Sequence, residues 1–182
     1  HPVKISDGFG AFYNFNDEDE PEGLPVGYIL SFNKIRQYKG FDFSECDWII
    51  FDEFILDKGT YRYLQDEITC FLDCYETIAR SRDNVRCYFL ANAISMTNPY
   101  FLYWDLKMPT KKDKNNKWIW KHPTRPILVE DVKNEKFIDT KKNTEFGALI
   151  KNTKYADYSI DNKFLLDSDT FVEKKGKNAR YY

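Results

Sequence analysis

The sequence predicts an α/β domain built on a central, largely parallel sheet. Two apolar runs carry this reading, Asp47-Trp48-Ile49-Ile50-Phe51-Asp52-Glu53 and Val85-Arg86-Cys87-Tyr88-Phe89-Leu90-Ala91. Neither alternates, as expected of strands covered on both faces. Between them, from about Tyr61 to Ser81, the apolar period becomes helical. Strand, helix of ~20 residues, strand is a βαβ unit with a right-handed crossover.

The elements follow in order. Phe9, Ala11, Tyr13 and Phe15 share one face, and Val26, Tyr28, Leu30 and Phe32 answer them across the acidic loop Asp17-Glu18-Asp19-Glu20-Pro21-Glu22-Gly23. This period-two pattern predicts a hairpin over 9–15 and 26–32 that extends the sheet's edge, with the loop as a solvated tip. In the helix, Leu64, Ile68, Phe71, Leu72, Tyr75 and Ile78 form the apolar face. The second buried strand ends at Asn92. Beyond Asn98-Pro99-Tyr100-Phe101-Leu102-Tyr103-Trp104 the texture changes. Lys107, Lys111, Lys112, Lys114, Lys117, Lys121 and Arg125 surround Trp118 and Trp120, in what reads as a loop or short hairpin. Ile127-Leu128-Val129 suits a short strand and Thr144–Lys151 a short helix. Phe171-Val172-Glu173 and Ala179–Tyr182 flank Lys174–Asn178 as a further hairpin would. There is no internal repeat.

Composition narrows the class. The chain has 182 residues, enough at ~150 per domain for one domain or one with an appendage. Aromatic residues make up 18%, which argues against disorder, and 8 Gly with 7 Pro exclude collagen-like chains. Mean hydropathy is −0.63, and no apolar run approaches the ~20 residues of a membrane span. With 27 Lys and Arg against 29 Asp and Glu, the net charge is −2. Nucleic-acid binding therefore needs a local basic patch. Cys46, Cys70, Cys74 and Cys87 form no CxxC pair, and with 2 His they point away from zinc and toward reduced thiols. The chain begins His1-Pro2, with no initiator Met and no signal peptide, as a piece of a longer polypeptide would.

The chemistry concentrates at strand ends. Ile49-Ile50-Phe51-Asp52-Glu53 has the form of a Walker B segment. At the carboxyl end of a parallel strand, Asp52 can hold Mg²⁺ on a nucleoside triphosphate and Glu53 can orient or deprotonate the attacking water. An apolar strand meeting solvent at two acids is the plainer reading. Asn92, at the tip of the second strand, is placed to touch a γ-phosphate or to form a turn. Arg80, Arg82 and Arg86 offer a charge for a neighbouring subunit's phosphoryl transfer, or complement a helix dipole. Lys111, Lys112, Lys114 and Lys117, interleaved with Trp, suit DNA phosphates and bases, or simply a solvated surface.

Taken together, these residues resemble the DNA-packaging ATPases of phi29-type phages. The likeness runs through Ile49-Ile50-Phe51-Asp52-Glu53-Phe54-Ile55, Val85-Arg86-Cys87, Asn92-Ala93 and Asn98-Pro99-Tyr100-Phe101-Leu102. It continues through Phe146-Gly147-Ala148-Leu149-Ile150, Tyr155, Ser159–Phe164, Asp167-Ser168 and Phe171–Lys174, while 105–142 diverges. The resemblance implies an ASCE-type P-loop NTPase core with a mostly parallel central sheet flanked by helices, plus a β-hairpin. It implies an ATP- and Mg²⁺-dependent motor that packages double-stranded DNA, working as a homo-oligomeric ring at the procapsid portal in the host cytoplasm. By position, Asp52 matches the Mg²⁺-side acid, Glu53 the catalytic glutamate, Arg80 the trans-acting arginine finger and Asn92 a sensor. The family's Walker A should precede the hairpin, yet no GxxxxGK[ST] occurs. The expectation is thus a fragment of the ATPase domain lacking Walker A and the C-terminal nuclease-like domain, with 1–142 as core and 143–182 as its last part or a linker.

Two other classes remain open. A carboxylate-metal nuclease would use Asp52, Glu53 and Asp57 on two metals. A non-enzymatic ATPase-like interaction module would dock to a ring.

Overall fold

A computed structural model describes residues 2–56, 62–92, 95–153, 156 and 160. The chain divides into two compact units, His1–Phe51 with Tyr63–Phe89, and Asp52–Arg62 with Leu90–Tyr182.

The first unit opens with three antiparallel strands in spatial order, β1 (Pro2–Ser6), β2 (Phe9–Phe15) and β3 (Pro21–Leu30). Gly8, at φ +79°, supplies the backbone for the β1–β2 turn. The expected hairpin is present as β2–β3, with Phe9 opposite Leu30 and Ala11 opposite Tyr28. It does not extend the sheet of the apolar runs. Its outer partner is β1, so it forms a sheet of its own. β3 also starts earlier than 26, and Phe32 lies in a 3-10 helix, Phe32–Tyr38. Phe9 is the centre of an aromatic cluster, with Tyr38 and Phe41 each at 4.8 Å, Tyr28 at 5.9 Å and Phe43 at 6.5 Å. Such stacked, tilted and edge-on pairs add to the stabilisation that each ring's burial gives.

Helix α1 runs over Glu67–Ala79, shorter than the 61–81 expected; residues 62–66 are not helical, and Tyr61 lies outside the described residues. The buried Glu67 carboxylate accepts the Leu64 N–H at 2.8 Å, which fixes the turn leading in. The buried seam is Glu67, Cys70, Phe71, Cys74 and Ile78, with Ala79 beside it. It is rotated from the expected face, and Leu72 is exposed. The two cysteines decide this, because a small apolar side chain at each turn lets α1 sit close on Phe9, Ile35, Phe43 and Val85.

Strands β4 (Trp48–Asp52) and β5 (Arg86–Leu90) form a two-stranded sheet. Arg86 N–H donates to Asp47 O at its start and Phe54 N–H to Leu90 O at its end. Both chains advance together between these bonds, so the pair is parallel and α1 is the crossover. The expected neighbourhood of the two runs is borne out. Two expectations are corrected. The parallel part is this pair, while the larger sheet among the described residues is antiparallel. Nor are the runs buried on both faces: inner Ile49, Phe51, Cys87 and Phe89 alternate with exposed Trp48, Ile50, Tyr88 and Leu90. Trp48 and Tyr88 stack on the outer face at 5.2 Å.

In the second unit, α2 (Pro99–Trp104) is a helix the sequence reading did not assign. Buried Asn98 caps it, accepting from Phe101 N–H at 3.0 Å and donating to Ser95 O at 2.9 Å, with Pro99 pre-set in the first turn. Phe101 and Ile55 form a small core with Phe54, Ala91, Leu106, Met108 and Val129 packed on it. The basic segment resolves into a hairpin, β6 (Trp118–Lys121) against β7 (Leu128–Asp131), with Trp120 opposite Val129. His122 fastens its loop: the imidazole Nδ1 accepts from the N–H groups of Thr124 at 3.1 Å and Arg125 at 3.0 Å, so Nε2–H is left to donate to Trp104 O at 3.0 Å. Helices α3 (Glu135–Lys142) and α4 (Glu145–Leu149) follow. The second answers the expected helix at 144–151. No helix among the described residues is long and apolar enough to cross a membrane. The expected hairpin flanking 174–178 lies outside the described residues, as do Asp57, Ala93, Tyr155, Ser159, Asp161–Phe164, Asp167-Ser168 and Phe171–Lys174.

Candidate functional site

Parallel pairing brings the carboxyl ends of β4 and β5 side by side. Asp52 is the last residue of β4, Glu53 follows it, and Asn92 stands two residues past the end of β5. All three side chains are exposed. The Phe54 N–H to Leu90 O bond, 3.2 Å, ties the two strand ends together. Asp52 Oδ1 accepts the Glu53 N–H at 3.0 Å, and Glu53 itself has φ +54°. A left-handed glutamate costs free energy, of the order of 1–2 kcal/mol, and turns the chain sharply so that Asp52 and Glu53 do not alternate as they would in a continuing strand. Among the described residues, Asp52 Oδ2 accepts no hydrogen bond. One carboxylate at an exposed strand end fits Mg²⁺, which retains several waters and takes few protein ligands. Among the described residues no group of three or more His, Cys, Asp or Glu assembles to hold a metal unaided.

Arg80 is the C-cap of α1 and is left-handed, with φ +42°. Its side chain donates from Nε to Thr77 O at 3.2 Å and from a terminal nitrogen to Phe41 O at 3.0 Å. The guanidinium is exposed but tethered to its own unit, and one of its acceptors is a carbonyl of the last helical turn. Arg82 is half-buried and far more heavily engaged. Its guanidinium donates to the carbonyls of Phe43, Ser44, Cys46, Ile78 and Ala79 and lies 3.5 Å from the Asp47 carboxylate. Nothing in the sequence separates these two arginines; only the turn geometry does.

The lysines divide. Lys111 and Lys114 are exposed near a turn in which Asp113 accepts from the N–H groups of Asn115 and Lys117, each at 2.9 Å. Lys112 lies 5.8 Å from the centre of the Trp118 ring, and Lys133, which sequence reasoning left aside, 4.8 Å from it. Lys117 approaches Glu130 at 3.5 Å. The stretch from Asp105 to Lys133 holds 8 basic and 4 acidic residues within a chain of net charge −2.

Residues 22–182 match the family model described as podovirus DNA encapsidation protein (Gp16). The chain belongs to that family. It is 36% identical over 160 residues to the DNA packaging protein of Bacillus phage B103, a match covering 88% of this chain and 48% of that one. To the DNA packaging protein of Bacillus phage phi29 it is 32% identical, over 88% of this chain and 46% of that one. The chain thus spans about half the length of the curated relatives it matches. Among solved structures, it superposes on a chain of the bacteriophage Phi-29 viral genome packaging motor assembly with a TM-score of 0.58 and 29% identity, over 100% of this chain and 50% of that one. The Phi-28 gp11 DNA packaging motor shares the fold, with a TM-score of 0.57 at 18% identity, over 87% of this chain and 48% of that one. Asp52, Glu53, Arg80, Asn92 and all four singled-out lysines fall within the span matched to the encapsidation family. Strands β1 and β2 precede it.

Proposed function

We propose that this chain is the part of an ATP-hydrolysing motor subunit, without its phosphate-binding Walker A segment, that supplies the hydrolytic carboxylates. The motor packages double-stranded viral DNA into a procapsid, as a homo-oligomeric ring at the portal in the host cytoplasm. The observation that carries this reading is the placement of Asp52, Glu53 and Asn92 at the neighbouring carboxyl ends of two parallel strands, with Glu53 in a strained left-handed turn. Membership of the encapsidation family supports it.

Each residue has a distinct task. Asp52 holds Mg²⁺, which when bound neutralises charge on the triphosphate. Glu53 orients the attacking water and takes its proton. Asn92 contacts the γ-phosphate or that water. Arg80 reaches from one subunit into its neighbour's site, and Lys111, Lys112, Lys114 and Lys117 meet DNA phosphates.

The test is Glu53→Gln in the packaging protein that carries this chain. Hydrolysis should fall by ~10²–10⁴-fold while ATP still binds, because the triphosphate contacts survive loss of the base. Turnover within a few fold of wild type would refute the role. Asp52→Asn should instead weaken Mg²⁺-dependent nucleotide binding, and an unchanged Mg²⁺ titration would count against it.

A further inference from the structure

The turn that follows α1 is strained at two successive residues, Arg80 at φ +42° and Ser81 at φ +65°. Neither is Gly, Asn or Asp, the types that occupy this region readily. Such a turn persists only where its surroundings over-determine it. Arg82 supplies those surroundings. On one side its guanidinium binds Ile78 O at 2.8 Å and Ala79 O at 3.2 Å, carbonyls of the last turn of α1. On the other it binds Phe43 O at 3.1 Å, Ser44 O at 2.6 Å and Cys46 O at 2.8 Å, in the loop that leads into β4. Asp47, which Arg82 approaches, also accepts Asn84 Nδ2–H at 2.8 Å, so the far side of the turn is held by the same carboxylate. Phe41, whose carbonyl receives Arg80, lies on that same loop. Arg82 therefore fixes both what carries Arg80 and what Arg80 rests on.

We infer that Arg82 is a positioning residue for Arg80, holding the strained 80–81 turn so that the Arg80 guanidinium is presented at one place. This rests on the reading of Arg80 as the charge donated to a neighbouring subunit. The flat fork of Arg82 is required because its acceptors lie on two separate segments. A lysine ammonium has three donors and no plane, and cannot span them. Phe43, Ser44, Cys46, Ile78 and Ala79 contribute backbone carbonyls, so the specificity for the network resides in Arg82 alone. The charged groups around it are Asp47 and Asp42. Asp42 is held below the usual carboxylate range first by hydrogen bonds from Ser44 and then by the charges of Arg80 and Arg82.

Complementation separates positioning from mere support of the fold. The Arg82→Lys subunit keeps Glu53 but presents Arg80 poorly; the Glu53→Gln subunit cannot hydrolyse but presents Arg80 well. Rings of Arg82→Lys alone should lose about 10²-fold in kcat, the cost of a misplacement near 1 Å, with KM for ATP within about twofold of wild type. Mixing equal amounts of the two should restore hydrolysis well above either parent, since about one junction in four pairs a good site with a good donor. The same mixture made with Arg80→Ala is the control for the underlying reading. If the Arg80→Ala mixture recovers and the Arg82→Lys mixture does not, Arg82 supports the fold and the inference is overturned while the reading stands. If the Arg80→Ala mixture stays inactive, the trans role fails and the inference with it. Thermal melting checks that Arg82→Lys folds, with Arg82→Gln as the second variant. Failure of both to fold makes Arg82 structural only and likewise overturns the inference.

Discussion

Gly147 should not tolerate a methyl group. It is buried in α4, where the chain turns back on the end of α3. A Cβ at this position would lie 2.3 Å from Lys141 O and 2.7 Å from Lys142 O, both backbone atoms that cannot swing aside. The carbonyl of Lys141 would have to retreat by about 1 Å, a displacement of the kind that costs overpacked sites ~1–3 kcal/mol. That carbonyl is already in use. It accepts Thr144 Oγ1–H at 2.7 Å, and the same hydroxyl oxygen caps α4 by accepting Gly147 N–H at 3.0 Å. Moving the carbonyl disturbs the cap, worth ~1 kcal/mol. Against these stands the helix propensity gained from Gly to Ala, about 1 kcal/mol. The cap and propensity terms cancel, so the net expectation for Gly147→Ala is a loss of about 1–3 kcal/mol.

No residue of α3 is buried, so the loss should appear as local opening of the α3–α4 corner. Amide hydrogen exchange over residues 138–150 is the measurement. Protection should fall by about 5- to 150-fold, at 1.36 kcal/mol per tenfold. Ala148→Gly, at an exposed neighbour, is the control and should cost no more than ~1 kcal/mol. Propensity and close packing predict opposite signs at Gly147. Protection equal to or above wild type would mean that the α3 carbonyls do not press on this glycine.

Three further outcomes follow from other parts of the molecule. Burial pushes the thiol of Cys74 up to about 11 and that of Cys87 to about 12, from the ordinary 9.0. Both stay neutral in the folded state while the unfolded chain ionises, so stability is intact below pH ~9 and falls as pH rises toward 11–12, by up to ~1.4 kcal/mol per pH unit for each thiol; urea unfolding of a Cys74→Ala, Cys87→Ala variant should show a flatter alkaline limb, and an identical slope would refute it. Charge reversal of Lys111 and Lys112 should weaken DNA binding and reduce the slope of log K against log salt by about 2, and an unchanged slope would leave the hairpin only a surface. His122→Phe keeps a ring beside Trp120 but removes three half-exposed hydrogen bonds, so stability should fall by about 1–3 kcal/mol in denaturant melts, and no change would mean that water replaces them.

What the sequence made legible was periodicity, and what it hid was partnership. The β2–β3 hairpin follows from alternation on both sides of an acidic tip, and the parallel β4–β5 pair from two apolar runs around a helix. Alternation cannot say which strand lies outside the hairpin, so β1 and the separate sheet went unforeseen. Run length cannot say which face is covered either: Trp48 and Ile50 remain 64% and 68% exposed although they sit in an unbroken apolar run. Helix α2 has only 6 residues and is apolar nearly all round, so its period was invisible. Its start was nonetheless written in Asn98-Pro99, a capping residue followed by proline. At the site, the residue types at the strand ends were legible, whereas the division of labour between Arg80 and Arg82 was not, because backbone carbonyls carry no sequence signature.

Backbone strain gives a second, independent view of the same residues. Among the described residues, the non-glycine positions with positive φ are Asp19, Glu53, Arg80, Ser81, Asp105, Asn116 and Asn152. Four of these are Asn or Asp, whose short polar side chains make the left-handed region cheap. They have plain local duties: Asp105 ends α2, and Asn116 sits in the Asp113–Lys117 turn. The three exceptions are Glu53, Arg80 and Ser81, which lack that short carboxylate or carboxamide, although Arg80, like Asp105, also ends a helix. Two of them are residues singled out on chemical grounds, one for water activation and the other for a charge delivered in trans. The third adjoins the second. Gly or Asn would relieve this strain, but the chain has Glu at 53 and Arg at 80, where a carboxylate and a guanidinium are what the proposed chemistry needs. The prediction is that Ser81→Gly stabilises the fold by about 0.5–1 kcal/mol and leaves hydrolysis intact, since Ser81 contributes strain and no chemistry. Glu53→Gly should relieve similar strain, and a raised melting temperature together with lost hydrolysis is the expected result. If Glu53→Gly destabilises the protein instead, the left-handed turn is held by its side chain rather than in spite of it, and strain at that position says nothing about function.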